Sequence, residues 1–444
     1  MQNLDLSPPS GTRDFFAEDV KLREKVFSAV KEVFESFGFL PLETPAFEKL
    51  DILTSKYGDE GEKLIFKILK RGEKASTGEA DLALRYDLTV PLARVIAQYP
   101  EKTGAIFKRY QLAPVWRADR PGKLRYREFY QCDIDIAGTS SLLADAEVVL
   151  ALSEALRALG IKDFFFRYNS RKVLKGIMQV YKVPQNLASD VLTALDKLDK
   201  VGLPGVSKEL LELEIPADVV GQITDDMSSP GAENQIRKRL RESEIGQAGL
   251  TEVDQILSLV SAVLPDARVL FDPFIARGLS YYTGPIFEIF TSQSKSAIAS
   301  GGRYDELVGM FSKKDVPACG GSLGIERILA LLRETDRPTM SIPQVLVTVW
   351  NDEFKADALL IAADLRSRKI SAEVYLGAGN IGRQLRYASN KNIPYCVLYG
   401  PDEKLKGEVA VKNLRTASQN VIVRKDVGDF LESEIKILRG EGAK

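Results

Sequence analysis

With 444 residues, of which 45% are hydrophobic and 28% charged, the chain has the composition of an ordinary globular protein, and its length suggests about three domains. Its net charge of −1 gives no overall basic character that would indicate nucleic-acid binding, so any such contact must use a local patch. The sequence has no run of roughly 18 apolar residues and no secretory signal at its start, so we expect a cytoplasmic protein without a membrane segment.

Two residue types limit the chemistry. The chain contains no histidine, which excludes histidine acid–base catalysis, histidine metal ligands and Ser–His or Cys–His nucleophile pairs. Cys132, Cys319 and Cys396 are far apart and odd in number, so we expect neither a disulfide framework nor a cysteine metal site. Any reaction must therefore use carboxylates, arginines, backbone amides and bound ions.

The first predicted elements are a helix and an edge strand. Between residues 18 and 37 apolar side chains recur at steps of three and four, and Gly38 fits a helix stop. Residues 39–47 are predicted to be extended, and Pro41 and Pro45 confine them to a sheet edge or a subunit contact.

A loop, a strand pair and a helix follow. Residues 70–81 contain Gly, Ser and Thr and predict an exposed loop. Residues 105–137 predict two strands joined by a basic turn around Pro121 and Gly122. Residues 144–159 predict a helix.

The pattern then changes twice. Residues 165–262 carry helical patterns rich in Lys, Leu and Glu, which we interpret as a separate helical insertion. Strand patterns return at 269–271 and 281–290, and a glycine-rich turn at 320–324 opens a helix from Ile325. A linker is predicted around Arg337 to Pro343. Beyond it, strands alternate with helical stretches in a compact α/β module of about 100 residues; the strands are expected at 345–349, 372–376, 395–399 and 421–423.

The most informative segment is residues 125–137, because its two faces differ in chemistry. With the period of a strand, one face is largely apolar and the other carries Arg125, Arg127, Phe129, Gln131, Asp133 and Asp135. Alternation alone is typical of a surface strand with a solvated polar side. The order along this face, basic then aromatic then amide then acidic, suits a ligand that is anionic at one end and cationic or hydrogen-donating at the other.

Other segments are ambiguous when taken singly. Residues 108–127 contain seven basic residues and one acidic residue. Such a cluster is typical of a solvated loop, but it could also form a phosphate-binding site. Asp87 and Thr89 could hold an ammonium group, although such pairs are common at helix starts. Glycine-bearing stretches at 277–284 and 301–305 could be strand entries or turns, and Arg327 in the first turn of a helix would add to its attraction for anions.

Together these segments resemble the class II aminoacyl-tRNA synthetases, and specifically the histidine–tRNA ligases. The three class II motifs are matched by residues 38–45 (GFLPLETP), by 116–121 (WRADRP) with 125–129 (RYREF), and by 324–327 (GIER). Residues 277–284 (RGLSYYTG) and 301–305 (GGRYD) resemble the two signatures of histidine enzymes, and 9–14 (PSGTRD) the N-terminal stretch.

The resemblance implies an α+β fold: a class II antiparallel sheet flanked by helices, with a helical insertion and a C-terminal α/β anticodon-binding domain. The expected domains are a catalytic core at 1–164 and 263–336, the insertion at 165–262 and the anticodon-binding domain at 343–444. It also implies activation of L-histidine by ATP with Mg²⁺, transfer of histidine to tRNA(His), and a homodimer formed through the first motif.

The resemblance also implies roles for individual residues of this chain. Arg117 and the extra arginine Arg277 are the expected catalytic residues at the α-phosphate. Arg327 should bind the far end of the triphosphate, Phe129 should stack on adenine, and Arg125 belongs to the same ATP site. The residues expected around histidine are Asp87, Thr89 and Gln131 at its amino group, Asp135 and Tyr282 at the two imidazole nitrogens, and Tyr281 and Tyr304 lining the pocket. No metal ligand is assigned to a protein side chain.

Three positions depart from many relatives. Ser280 stands where an acid is common, Tyr130 replaces a histidine on the apolar face of its strand, and the turn at 122–124 lies where relatives contact the tRNA acceptor end.

Two rival functions share the resemblance. One is a non-catalytic regulatory subunit of histidine biosynthesis, and the other is a class II-like ligase that makes an amide without tRNA. Residues 343–444 and the phosphate arginines argue against the first, and the helical insertion and the C-terminal module argue against the second.

Overall fold

The computed structural model describes residues 4–54, 63–195, 197–276, 281–335 and 343–438, and these contain three β-sheets. Contacts divide the chain into two units, Met1–Arg337 and Pro338–Lys444. The strands of the first unit are β1 (Leu40–Pro41), β2 (Phe47–Lys49), β3 (Lys67–Leu69), β4 (Ala80–Leu84), β5 (Phe107–Trp116), β6 (Glu128–Ala137), β7 (Phe165–Ser170), β8 (Arg268–Phe271), β9 (Pro285–Thr291), β10 (Ser294–Arg303) and β11 (Ala318–Gly324).

Eight of these strands form one sheet in the order β1-β5-β6-β11-β10-β9-β7-β8. The outer pairs β1–β5 and β7–β8 are parallel and the other neighbours are antiparallel. Strands β2, β4 and β3 form a small antiparallel sheet. The short strand β1 lies at the edge, as Pro41 and Pro45 predicted.

The helices of the first unit are α1 (Ala17–Ser36), α2 (Thr89–Gln98), α3 (Pro100–Thr103), α4 (Leu142–Ala158), α5 (Arg171–Val180), α6 (Ala188–Leu195), α7 (Leu198–Glu212), α8 (Ala217–Ser228), α9 (Ala232–Arg239), α10 (Glu244–Val263) and α11 (Ile325–Thr335). Short 3₁₀ turns lie at Gly72–Thr77, Gln185–Leu187, Leu240–Glu242 and Val308–Met310. No helix in the described ranges has both the length and the apolar character needed to span a membrane.

The alternation of β6 separates the core from the site. Cys132, Ile134 and Ile136 are buried in the main hydrophobic core. The apolar stripe of α1 and the buried face of α4 belong to the same core, so helices cover this side of the sheet. The polar residues of β6 therefore point to the opposite side of the sheet.

The helical stretch begins later than predicted. Residues 165–170 form β7, because Phe166 and Tyr168 are buried at the two-residue period of a strand and pair with β9. Helices α5 to α10 follow, and their buried apolar residues share one core with the sheet. A separate insertion domain at 165–262 therefore stays a prediction.

Two glycine-rich segments predicted as turns are strands instead. Gly301 and Gly302 lie in β10, and Gly320 to Gly324 close β11. The glycines are explained by crowding across the sheet, since a Cβ on Gly301 would lie 2.2 Å from the Gly320 carbonyl oxygen. Residues 70–81 also differ from a plain loop, because they contain a 3₁₀ turn and the start of β4.

The second unit is an α/β module, as predicted. Its strands, in the sheet order β13-β12-β14-β15-β16, are β12 (Val345–Val347), β13 (Ala372–Val374), β14 (Tyr395–Leu398), β15 (Glu408–Asn413) and β16 (Gln419–Val423). Its helices are α12 (Lys355–Ser367), α13 (Ile381–Asn390), α14 (Pro401–Lys406) and α15 (Val427–Leu438), with 3₁₀ turns at Asp352–Phe354 and Arg424–Asp426. The buried residues of these elements form hydrophobic cores of their own.

Candidate active site

A cavity of about 280 Å³ lies on the polar side of the large sheet. Its walls come from β6, β9, β10 and β11, from the start of α2, and from the segment that precedes β9. Acidic and phenolic side chains line one part of it, and two arginines, Arg117 and Arg327, also reach it. The cavity therefore has the mixed polarity that the face of β6 predicted.

The acidic part of the cavity is centred on Asp135. Its Oδ2 lies 2.7 Å from Nη2 of Arg109, a side chain with no exposed surface, and its Oδ1 accepts a hydrogen bond from the Tyr304 hydroxyl. Arg109 is the direct partner of Asp135 in the β5–β6 register. Burial raises the pKa of Asp135, and the contacts with Arg109 and Tyr304 oppose that rise.

A glycine on the neighbouring strand gives Asp135 its room. Gly320 is the partner of Asp135 on β11, and a Cβ at Gly320 would lie 2.0 Å from Oδ1 of Asp135. Any larger residue at 320 would displace the carboxylate, so the glycine is required by the site rather than by a turn.

Asp133 is the second carboxylate on this wall, two residues before Asp135 and also buried. It accepts hydrogen bonds from Nε2 of Gln131 at 3.3 and 3.4 Å and from Ser322, its partner on β11. Burial raises the pKa of Asp133 to about 7; Arg109 lowers it and the Asp135 charge adds to the rise. Its charge is thus only partly compensated by the surrounding protein.

Three tyrosines close the acidic part of the cavity. The rings of Tyr281 and Tyr282 lie 5.0 Å apart and those of Tyr281 and Tyr304 lie 5.6 Å apart, both in edge-on arrangements. Burial raises the pKa of Tyr282 and of Tyr304, so both phenols stay protonated near neutral pH and can act as hydrogen-bond donors. A planar ring with nitrogen donors and acceptors matches such a pocket.

The arginines are held by backbone carbonyls and aromatic rings. Nε of Arg117 donates to the Tyr86 carbonyl at 3.1 Å, and its guanidinium lies 4.3 Å from the Tyr86 ring and 5.1 Å from the Phe129 ring. Arg327 donates to the carbonyl of Ala297 from the first turn of α11. Arg117 has no ion pair with a carboxylate among the described residues, which leaves its guanidinium able to bind phosphate oxygens, and Arg327 lines the same cavity.

Asp87 and Thr89 behave as the helix-start interpretation predicted. Oδ1 of Asp87 accepts the backbone N–H groups of Thr89 and Val90, at 3.1 and 3.0 Å, where α2 begins. Asp87 is fully buried and Thr89 lines the cavity. This geometry orients Asp87 and brings Thr89 to the pocket wall.

Most of the candidate residues meet at this cavity. Its lining includes Thr89, Arg117, Gln131, Asp135, Tyr281, Tyr282, Tyr304 and Arg327, and Phe129 packs beside Arg117. Arg125 is exposed and pairs with Asp119, outside the lining. Arg277 and Ser280 lie outside the described residues.

Sequence reasoning missed Arg109, Glu288 and Ser322 and gave Asp133 no role. Arg109 was counted only in a basic cluster, and the signal that singles it out is its position on the same sheet face as Asp135. Glu288 is a buried carboxylate in a strand of seven buried residues, so no alternation marked it. Whether these side chains reach the cavity depends on how the strands are aligned with one another, and local sequence patterns do not predict that alignment.

Comparisons with known proteins identify the family of the chain. A family model described as Histidyl-tRNA synthetase matches residues 11–328, and one described as Anticodon binding domain matches residues 344–434. A relative from Cytophaga hutchinsonii named Histidine--tRNA ligase is 38% identical over 437 residues, which cover 93% of this chain and 96% of the relative.

Solved structures give the same result. The crystal structure of histidyl-tRNA synthetase from Nostoc sp. PCC 7120 has a TM-score of 0.76 and 30% identity, covering 97% of this chain and 99% of that one. A structure from Bacillus halodurans, described as an ATP phosphoribosyltransferase regulatory subunit/histidyl-tRNA synthetase, has a TM-score of 0.69, 21% identity and coverage of 88% and 97%, which shows the fold alone. The predicted α+β class II fold is confirmed. With one family model spanning most of its length and a relative of 38% identity covering nearly all of it, this chain belongs to the histidyl-tRNA synthetase family.

Proposed function

We propose that this chain activates L-histidine with ATP and transfers the histidine to the 3′ end of tRNA(His). The observation that carries the proposal is the cavity itself, where Asp135 and three tyrosines share one space with Arg117 and Arg327. In the first step a histidine carboxylate oxygen bonds to the α-phosphorus of ATP and the bond to pyrophosphate breaks. In the second, a terminal ribose hydroxyl of the tRNA bonds to the histidine carbonyl, and AMP leaves.

The protein's part in this reaction is positioning and charge stabilisation, so the absence of histidine from the chain is no obstacle. Asp135 accepts one imidazole N–H and Tyr282 binds the other ring nitrogen. Arg117 binds the α-phosphate, Arg327 the far end of the triphosphate, and Phe129 stacks on adenine. Asp87, Thr89 and Gln131 hold the amino group, while Tyr281 and Tyr304 shape the pocket. Arg125 pairs with Asp119 at the surface, so an ATP contact requires that this pair opens.

The buried groups in the acidic part of the cavity explain the specificity for histidine. A site with buried hydrogen-bonding groups rejects apolar amino acids strongly, because those groups would lose their partners. Asp135 is 3% exposed and Tyr304 is 2% exposed, so neither can replace a lost ligand contact with bulk water. Selection at this pocket therefore needs no separate editing domain.

Mg²⁺ would accompany ATP, and the donor set of the cavity is compatible with it. Glu288 is a buried carboxylate in the lining, and carboxylate and phosphate oxygens are the ligands that Mg²⁺ prefers. Among the described residues no group of three or more acidic or cysteine side chains could hold a metal by itself, so most ligands would come from phosphates and water. Glu288 would hold the bound Mg²⁺, and the ion would neutralise part of the charge on the phosphates.

We assign the reaction to residues 1–164 and 263–336, with a helical insertion at 165–262, and tRNA anticodon binding to residues 343–444. The anticodon-binding family match at residues 344–434 supports the last assignment. It also argues against the regulatory-subunit and tRNA-independent ligase alternatives, because neither requires such a module. We expect the enzyme to act in the cytoplasm.

A homodimer through the first class II motif is part of the proposal. Leu40 in the edge strand β1 is 63% exposed, and Phe47 in β2, an edge strand of the small sheet, is 51% exposed. Ile106, just before β5, is 61% exposed. Exposed apolar side chains on a strand edge are typical of a subunit contact. Sedimentation of the full chain should give twice the monomer mass of 49.2 kDa.

The direct test is ATP–pyrophosphate exchange with each of the twenty amino acids, followed by charging of tRNA(His). Exchange with histidine alone and charging of tRNA(His) are expected. Exchange with no amino acid would favour the regulatory alternative, and exchange without charging would favour the tRNA-independent ligase.

Arg277 is the proposed second catalytic residue at the α-phosphate. Arg277→Ala should reduce histidine-dependent exchange by about 100-fold or more, because the developing charge loses a positioned donor, while the dissociation constant of histidine changes little. Exchange and calorimetry on the same preparation measure the two effects. An unchanged exchange rate would remove this role from Arg277.

A further inference from the structure

In the side-chain amide of Gln131 the nitrogen makes hydrogen bonds and the oxygen makes none among the described residues. Its Nε2 donates to Asp133, while its Oε1 is buried and has no hydrogen-bond partner among the described residues. Buried polar atoms are nearly always satisfied, so an unpartnered acceptor in a cavity wall indicates that a bound ligand would supply the donor. An ionised Asp133 can only accept hydrogen bonds, so it binds the NH₂ side of the Gln131 amide and the amide oxygen points away from it.

The two carboxylates of β6 differ in their counter-ions. Asp135 has Arg109 at 2.7 Å, whereas Asp133 bonds to the neutral groups of Gln131 and Ser322 and has no ion pair within the described part of the chain. A cation bound beside Asp133 would therefore offset the charge of this carboxylate.

We propose that Asp133 is a positioning residue for the α-ammonium group of histidine: it fixes the Gln131 amide so that Oε1 accepts an ammonium hydrogen, and its own charge balances the cation. Arg109 compensates Asp135, so Asp135 acts as the acceptor for the imidazole. The two neighbouring acids on β6 thus recognise opposite ends of one amino acid. This inference rests on the proposed function and adds a residue to which no role was given.

The test compares two variants with two ligands. Asp133→Asn and Asp135→Asn are isosteric changes on the same face of β6, and each keeps the size of the side chain. The ligands are L-histidine and 3-(imidazol-4-yl)propionate, which has the imidazole and the carboxylate but no amino group. Dissociation constants for both are measured by competition in the exchange assay and by calorimetry.

Asp133→Asn should weaken histidine binding by about 10- to 100-fold, the range for a hydrogen-bond network to a charged group, and should leave imidazolylpropionate binding nearly unchanged. Asp135→Asn should weaken both ligands by similar factors. A variant that merely folds badly loses both ligands equally, so the ratio of the two affinities is the decisive quantity.

Equal losses for both ligands in Asp133→Asn, or no loss for either, would overturn the proposal. Failure of the wild-type chain to exchange with histidine would instead refute the proposed function. The two failures are therefore distinguishable on the same set of proteins.

Discussion

Arg109 is the residue on which the acidic end of the pocket depends. Its guanidinium is fully buried on β5, 2.7 Å from Asp135, and donates to the Leu88 carbonyl at 3.1 Å. Burying both charges is costly, and their attraction offsets that cost only while both are present. Arg109 therefore opposes the rise that burial causes in the pKa of Asp135 and favours the charged form, which accepts an imidazole N–H.

Arg109→Met should lower the free energy of unfolding by about 3–5 kcal/mol, because it leaves a buried carboxylate without its cation. Urea denaturation measures the change. The double variant Arg109→Met with Asp135→Asn should recover much of the loss, since the stranded charge is removed. If the two single losses simply add in the double variant, Arg109 and Asp135 do not form a coupled pair.

At the scale of elements, the N-terminal residues contact the segment 117–127, which carries Arg117 of the proposed ATP site. The Gly11 carbonyl accepts the backbone N–H of Arg127 at 2.8 Å, and the Arg127 carbonyl accepts that of Arg117 at 2.8 Å. Arg13 pairs with Glu326 on α11 and stacks 3.4 Å from the centre of the Tyr126 ring. One arginine thus connects the start of α11 to the segment that carries Arg117.

Arg13→Ala should raise the KM for ATP by about 3- to 10-fold, the range for loss of a stacked cation, and should change the KM for histidine little. Steady-state exchange kinetics separate the two constants. Arg23→Ala is the matched control, because Arg23 stacks on Phe15 and Tyr130 but belongs to α1. Equal effects of the two changes would mean that Arg13 only stabilises the fold.

The elements also show what sequence patterns can and cannot predict. The two faces of β6 were predictable because a strand has a fixed period, and Cys132, Ile134 and Ile136 do enter the core. The strand around Gly320 was predicted as a turn, because glycine marks both tight turns and crowded strands. Only the register of β6 with β11, which sets Gly320 against Asp135, decides between them.

At the scale of the whole molecule, chemistry and tRNA recognition are assigned to different units. Residues 1–337 contain the cavity, and residues 338–444 contain an α/β module with its own hydrophobic cores. Because each unit buries its own apolar residues, each has the means to fold by itself. The proposed adenylation site needs only residues of the first unit.

A chain ending at residue 337 should therefore keep histidine-dependent pyrophosphate exchange within about threefold of the full chain, a change of less than about 1 kcal/mol. It should lose most charging of tRNA(His), because the anticodon-binding match lies in the removed unit. Exchange and charging assays on both chains check this. Loss of exchange in the truncated chain would show that the second unit is required for activation itself.

The central claim is that one sheet face binds both ends of histidine beside ATP. A crystal structure of the full chain with L-histidine tests it most directly. We expect the imidazole between Asp135 and Tyr282 and the ammonium group at Gln131 Oε1, next to Asp133. An imidazole bound away from these residues, or an ammonium group turned toward Arg117, would contradict the account.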